Sequence, residues 1–390
     1  MHDATPRALR AWLPLALAGW CATLAGIGIG RFSYVPLLPL MIDAGWTSPA
    51  GAAGLAAANL LGYLAGALAA HPLALRIGAT RAIRFSLLVL PLSFLACALQ
   101  PAFAWMWFSR LAAGVAGGML MIIAAPYVLT RVPAALRGKA VGIVFAGIGV
   151  GIIAAGLGVP AAGAVHLRAA WLALAACGFL ALAYAWPKFA GDDIHVAAEA
   201  GPLLPRGPML ALACAYALDA IGYLPHAVFW VEYLVHGIGL PMSIGGVSWA
   251  VFGVGATLGP LIAGYAADRF GFRLALVGSL AVKAAAVALP LASSSVPALL
   301  LSAFLVGALT PGLVAVTSGR VVEIAGAAAH RRNWAMLTFL WALLQAAGGY
   351  AMTALYAALH SFSLLFVIGA AALSLAAVIA AGATNAKPLR

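Results

Sequence analysis

Long apolar runs separated by short polar breaks set the plan of this chain. Twelve runs stand out, at 12–41, 51–70, 82–99, 103–129, 138–163, 169–187, 208–235, 244–266, 273–293, 296–320, 334–358 and 362–382. Each approaches or exceeds the roughly 20 residues that a helix needs to cross a hydrocarbon core. Lipid offers the backbone no hydrogen-bond partners, so runs of this length read as helices rather than strands. They are rich in Gly and Ala, which suits close helix packing. Pro36, Pro39, Pro126, Pro160, Pro260 and Pro311 fall within them, as kinks that neighbouring helices tolerate. The pattern predicts an all-α membrane protein of twelve transmembrane helices.

Composition agrees and narrows the classes. Of 390 residues, 65% are hydrophobic and only 8% charged, with a mean hydropathy of +1.08. Ordinary soluble domains carry about 45–50% apolar and about 25% charged residues. Soluble enzymes, DNA-binding domains and disordered chains are therefore excluded. The net charge of +12 does not point to nucleic acid, because the positive residues sit in the breaks between runs. Cys21, Cys97, Cys177 and Cys214 lie far apart inside apolar stretches and read as small buried hydrophobes.

Direction follows from the basic residues. One set of breaks and ends holds 17 of the 21, from Arg7 and Arg10 through Arg76, Arg81 and Arg84 to Lys387 and Arg390. The opposite set holds Arg168 alone, while Arg31, Arg110 and Lys283 lie within runs. The excess of positive charge on one side predicts that both termini are cytoplasmic, in a bacterial inner membrane. Trp46, Trp105, Trp107 and Trp186 sit near run ends, as an interfacial belt requires. The first run, at about 30 residues, exceeds the 7–15 of a signal-peptide core and reads as a retained helix.

The longest polar stretch, Lys188 to Pro208, contains Asp192, Asp193 and Glu199. It reads as a flexible cytoplasmic linker at 188–207, between a six-helix bundle at 1–187 and a second at 208–390. The Asp192–Asp193 pair reads as solvated linker charge, since no third metal ligand is near. The halves repeat. Arg76-Ile-Gly78 matches Arg269-Phe-Gly271, Gly114 matches Gly307, Arg137 matches Arg331 and Gly30 matches Gly222, at offsets of 192 to 194. Parallel repeats of this kind place a substrate site where two bundles meet.

Residues 264–273 read Gly264-Tyr-Ala-Ala-Asp268-Arg269-Phe-Gly271-Phe-Arg273. This resembles the G-x-x-x-D-R-x-G-x-R loop signature of the major facilitator superfamily. Run 4 begins Arg110-Leu-Ala-Ala-Gly114, similar to the superfamily's R-x-x-x-G pattern in helix 4. Gly147, Gly156, Pro160 and Gly163 form a partial version of the Gly/Pro-rich helix 5 associated with antiporters. Residues 28–41, GIGRFSYVPLLPLM, resemble the first helix of YbfB/YjiJ-like transporters. The superfamily resemblance covers almost the whole chain. It implies two pseudo-symmetric six-helix bundles and a cavity lined by helices 1, 4, 7 and 10. It also implies a cytoplasmic latch in which the loop carboxylate caps a neighbouring helix. Here Asp268 is expected to cap the start of run 11 near Asn333 and Trp334. The first copy is degraded: Leu75 replaces the Asp and His71 the first Gly, leaving Arg76 and Gly78. An asymmetric latch is expected, with the second half doing more.

Ionisable groups inside runs are costly and face a cavity or a partner. Arg31 and Asp219 lie on helices 1 and 7 by this resemblance. Arg31 and Tyr34 are three apart, a shared helix face. Asp219, Tyr223, His226 and Trp230 are spaced 4, 3 and 4, a single stripe. This set reads as the substrate and coupling region. Arg31 would bind an anionic group or pair with Asp219, Asp219 would load a proton, and His226 would be a second titrating group. The competing reading is a fixed Arg31–Asp219 pair that holds the halves together. Asn59 and Gln345 read equally as cavity or helix–helix bonds; Tyr127, Thr310 and Thr317 read as packing bonds first. Arg110 reads as a structural or coupling residue. Lys283, on helix 9, is left between snorkelling, contacting a lipid headgroup and pairing inward, with no role chosen among them. Glu232 reads as hydrated, and Arg320 and Glu323 as a surface pair or gate element.

No H-E-x-x-H, D-D-x-x-D, usable G-x-S-x-G or Walker motif is present, which argues against a membrane-embedded enzyme and against ATP-driven transport. A channel would show a pore ring, and a receptor is the remaining alternative. The reading is a secondary transporter of a small organic solute, proton-coupled and leaning to antiport and efflux. The alternative is proton-linked uptake of a small organic anion, suggested by Arg31. No cofactor or metal is expected. The expected partners are a small-molecule substrate, protons and membrane lipid, and the chain is read as a monomer.

Overall fold

The computed structural model describes residues 6–99, 102–191 and 207–382. Asp192, Asp193, Glu199 and Arg206 of the expected linker lie outside the described residues, as do Lys387 and Arg390 and the side chains of Arg7, Arg10 and Arg331. Among the described residues, twelve helices are long and apolar enough to span a bilayer. They are α1 (Trp12–Asp43), α2 (Pro49–Ile77), α3 (Ala79–Ala98), α4 (Phe103–Leu129), α5 (Arg137–Gly163) and α6 (Leu167–Ala185). The second set is α7 (Pro208–Gly237), α8 (Met242–Phe270), α9 (Phe272–Ala292), α10 (Val296–Gly326), α11 (Arg332–Leu359) and α12 (Phe362–Gly382). Leu99, Leu180, Leu261 and Tyr265 stand more than 70% exposed, a surface that suits acyl chains and not water. Contacts divide the chain into two compact units. One comprises residues 1–195 with 241–250, the other 196–240 with 251–390.

The repeat is written into the packing of each unit. In the first, an added Cβ at Gly62 or Gly66 of α2 would strike the carbonyl oxygens of Leu111 and Val115 in α4; Gly114 in turn faces the carbonyl of Asn59. In the second, Gly255 and Gly259 of α8 meet the carbonyls of Phe304 and Ala308 in α10, and Gly307 meets that of Phe252. Every one of these positions is displaced by 193 residues from its counterpart. Glycine is required because backbone approaches backbone, with no room for a side chain.

The inter-helix joints repeat too. Gly78 between α2 and α3 has φ 90°, ψ 144°, and Gly271 between α8 and α9 has φ 79°, ψ 154°. Both lie where a Cβ is strained. A difference from expectation concerns the stretch after run 10. Helix continues from Val296 to Leu359, interrupted by Gly326 at φ 76°, ψ 164°. The Ala-rich sequence there keeps helical geometry past the end of the apolar run.

Helices α1 and α7 are discontinuous at corresponding positions. α1 passes through a π-helical stretch at Leu24–Ile29 and a turn at 30–33 before resuming at Tyr34. α7 stops at Gly222 and restarts at Leu224. Proline explains part of both breaks: Pro36 cannot donate to the Phe32 carbonyl four residues back, nor Pro225 to that of Ile221. Cys21 and Cys97 are buried, but Cys214 is exposed, against the sequence expectation. In a membrane helix an apolar residue is as stable facing lipid as facing protein.

Candidate functional site

In the second unit, the α7 stripe is buried against α9, α10, α11 and α12. Asp219 and Lys283 of α9 are 2% and 0% exposed, with Lys283 Nζ donating to Asp219 Oδ1 at 2.7 Å. Trp341 Nε1 of α11 donates to the other oxygen, Oδ2, at 3.3 Å. The Lys283 ammonium lies 5.0 Å from the Tyr223 ring centre. Tyr223 stacks on Trp341 at 5.6 Å and 22°, and Gln345 Nε2 donates to its hydroxyl. A carboxylate and an ammonium thus share a pocket walled by aromatic rings, the partnered arrangement that a charge inside a membrane needs.

His226 adds a second polar centre. Its Nε2 is 2.8 Å from Ser302 Oγ, and Ser302 Oγ donates to the Ala286 carbonyl at 2.6 Å. The serine has one proton, and the carbonyl can only accept it. His226 must therefore donate from Nε2, which in the neutral imidazole leaves Nδ1 as a bare acceptor. That Nδ1 is buried with no hydrogen-bond partner. Trp230 stacks on the imidazole at 4.2 Å and 13°, and Phe366 meets it edge-on.

In the first unit, Arg31 lies in the turn at 30–33 and Tyr34 directly follows it, its N–H bonded to the Arg31 carbonyl. Arg31 Cζ lies 4.9 Å from the Phe32 ring centre and 5.7 Å from that of Tyr63. Tyr34 instead lies under Arg110, whose Cζ is 4.7 Å from its ring centre, and its hydroxyl donates to the Ala52 carbonyl at 2.8 Å. Arg110, 1% exposed, donates from Nη1 to the Gly30 carbonyl at 3.1 Å. The α1 break frees that carbonyl, since Tyr34 N–H turns to Arg31 instead. Asn59 Nδ2 donates to the Arg110 carbonyl at 3.1 Å. Trp249, in the 241–250 segment of this unit, donates to the Phe32 carbonyl that Pro36 releases, at 2.9 Å.

The remaining motif residues are placed as follows. Gly147 meets the Trp20 carbonyl, and Gly156 and Pro160 lie against Gly246. Arg76, Asp268 and Arg269 are exposed, while Arg273 Nη2 donates to the Ala381 carbonyl. Gly264 faces open space. Among the described residues, no hydrogen bond or ion pair joins Asp268 to Asn333 or Trp334. Asn333 is wholly buried and bonds back to Ala329. Glu232, expected to be hydrated, is 2% exposed and accepts from His236 Nδ1 at 2.9 Å. Arg320 pairs with Glu323 at 2.7 Å.

Sequence reasoning missed that Lys283 is the partner of Asp219, and missed Trp341 and Ser302. A signal existed for the first. Asp219 in mid-span needs a countercharge, and Lys283 is the one lysine or arginine placed well inside a run of the second half. Trp341 precedes Gln345 by four residues, which puts both on one face of α11.

A family model described as uncharacterised MFS-type transporter YbfB matches residues 23–381. An uncharacterized MFS-type transporter, YceJ of Bacillus subtilis (strain 168), is 25% identical over 278 residues, which is 68% of this chain and 70% of the relative. Among solved structures, a D-xylose-proton symporter superposes with a TM-score of 0.74 at 14% identity, covering 95% of this chain and 98% of that one. A bacterial homolog of the human lysosomal transporter Spinster, in an inward-facing and unoccupied conformation, gives 0.64 at 15% identity, covering 97% and 95%. At such identities these two structures establish a shared fold.

Proposed function

The chain belongs to the YbfB-type family of major facilitator superfamily (MFS) transporters, and we propose that it is a proton-coupled antiporter whose coupling group is Asp219. The buried Asp219–Lys283 pair carries this reading. A proton arriving on Asp219 removes its charge and leaves the Lys283 ammonium alone in a membrane interior, which is unstable. The pair is therefore a two-state element: closed when Asp219 is ionised, opened when it is protonated. His226 Nδ1, a bare acceptor in the same unit, is the second proton-holding group. The breaks in α1 and α7 support alternating access, because discontinuous helices let two halves of a span move separately.

The direction proposed is export of a small organic solute from the cytoplasm across a bacterial inner membrane, by a monomer with cytoplasmic termini. Its basis is the distribution of Lys and Arg and the partial antiporter-like Gly/Pro pattern of α5 at Gly147, Gly156 and Pro160. Asp268 is proposed as the latch in a state other than this one, where it is exposed. Uptake of an organic anion is the second reading, favoured by the guanidinium groups that the first unit buries.

The test is reconstitution in liposomes under an imposed pH gradient. Wild type should move solute against its gradient, and Asp219→Asn should lose that accumulation while retaining solute exchange. Full pH-driven accumulation by Asp219→Asn would refute the coupling role.

A further inference from the structure

Arg110 presents an unused fork. Its Nη1 is bound to the Gly30 carbonyl, and its ring-like plane lies against Tyr34. Its Nε and Nη2 are buried and make no hydrogen bond. Nε–H and the adjacent Nη2–H form one edge of the guanidinium, two parallel donors at the spacing of a carboxylate or phosphate. Burying such donors without a partner is costly. No carboxylate of the first unit answers them: among its described residues Asp43 is the sole acidic side chain, and it is exposed. The second unit differs, since its buried Asp219 and Glu232 each have a partner.

We infer that the Nε/Nη2 edge of Arg110 receives an anionic group, carboxylate or phosphate, carried by the transported solute. This rests on the transporter reading and deepens it by naming the substrate class. The Gly30 bond and the Tyr34 ring hold the guanidinium plane, so little freedom is lost when the anion arrives. The bond to Gly30 also ties the occupied fork to the break in α1, so the bound group acts on the discontinuous helix directly. Arg31, within that break, adds a second positive charge to the same unit.

The test uses the purified full chain in phosphatidylcholine nanodiscs. The probes are benzoate, succinate, citrate and phenyl phosphate, with benzamide and benzylamine as uncharged and cationic counterparts. At least one anion should raise the unfolding temperature, and its counterpart should not. Arg110→Gln should weaken that anion by about 10- to 100-fold, the scale of a charge-assisted bond. Arg110→Lys keeps the charge but not the fork. It should fold and still bind weakly, which separates recognition from a folding defect. Equal protection by the neutral counterparts, no protection by any anion, or undiminished binding in Arg110→Lys overturns the inference. Protection that appears only after phosphatidylglycerol is added marks a lipid headgroup site and overturns it as well. An anion that binds through Arg110 but never exchanges across liposomes leaves this inference standing and refutes the transport reading. A neutral solute carried at the wild-type rate by Arg110→Gln does the reverse.

Discussion

Lys283 Nζ stands 2.7 Å from Asp219 Oδ1, with both groups buried among helices of one unit. Removing one member of such a pair strands the other. Lys283→Met should therefore destabilise the protein by about 3–5 kcal/mol. The double variant Asp219→Asn/Lys283→Met, which removes both charges, should recover most of that loss. Thermal unfolding in detergent reads the comparison. A double variant as unstable as the two single losses added together would show that the groups are not coupled.

Ser302→Ala removes the acceptor for His226 Nε2–H and leaves the Ala286 carbonyl without its hydroxyl donor. Each is a buried polar group left unsatisfied, at about 1–3 kcal/mol. Ser302→Thr, which restores the hydroxyl, should lose less. Nitrogen NMR shifts of the imidazole should report an Nε2-protonated tautomer in wild type and a mixture in Ser302→Ala. An Nδ1-protonated wild type would sink the assignment.

Two glycines on α8 should behave oppositely. Gly259 faces the Ala308 backbone, whereas Gly264 faces nothing within 4 Å. Gly259→Ala forces α8 and α10 apart and should cost about 1–3 kcal/mol. Gly264→Ala should leave unfolding unchanged or raise it slightly, since alanine favours helix. The same contrast should appear in the first unit between Gly66 and Gly54, which is also unobstructed.

Gly78 and Gly271 share one backbone conformation, although only the second is preceded by Asp268. Gly78→Ala and Gly271→Ala should each cost about 1–3 kcal/mol from backbone strain. Asp268→Asn, at an exposed carboxylate, should leave stability unchanged yet alter the balance of access states if the latch exists. Distance measurements between spin labels on the loops at Gly78 and Gly271 would read that balance. An unaltered distribution together with unaltered transport would dispose of the latch.

The spans were legible because lipid imposes a length and a composition on every crossing helix. The repeat was legible at Arg76/Arg269 and Gly78/Gly271, where loop residues survive in both halves. Helix-internal glycines such as Gly62 and Gly255 carry the same offset, but a Gly-rich sequence hides which of its 44 glycines touch a backbone. The spacing of Asp219, Tyr223, His226 and Trp230 placed one wall of the second unit's polar cluster. It could not supply the opposite wall, because periodicity ranks faces within a helix and says nothing about which helix comes next.

From the chain alone came an all-helical membrane protein, repeated in two halves, with a handful of charges that had to be accounted for. Which charge meets which was decided by packing. Asp219 went to Lys283, sixty-four residues away on α9, and Arg110 went to the Gly30 carbonyl that the break in α1 had released. The physical reason is common to both. In a medium without water, each buried polar atom takes whichever partner the neighbouring helices bring within about 3 Å, and that proximity is a property of the assembled helices.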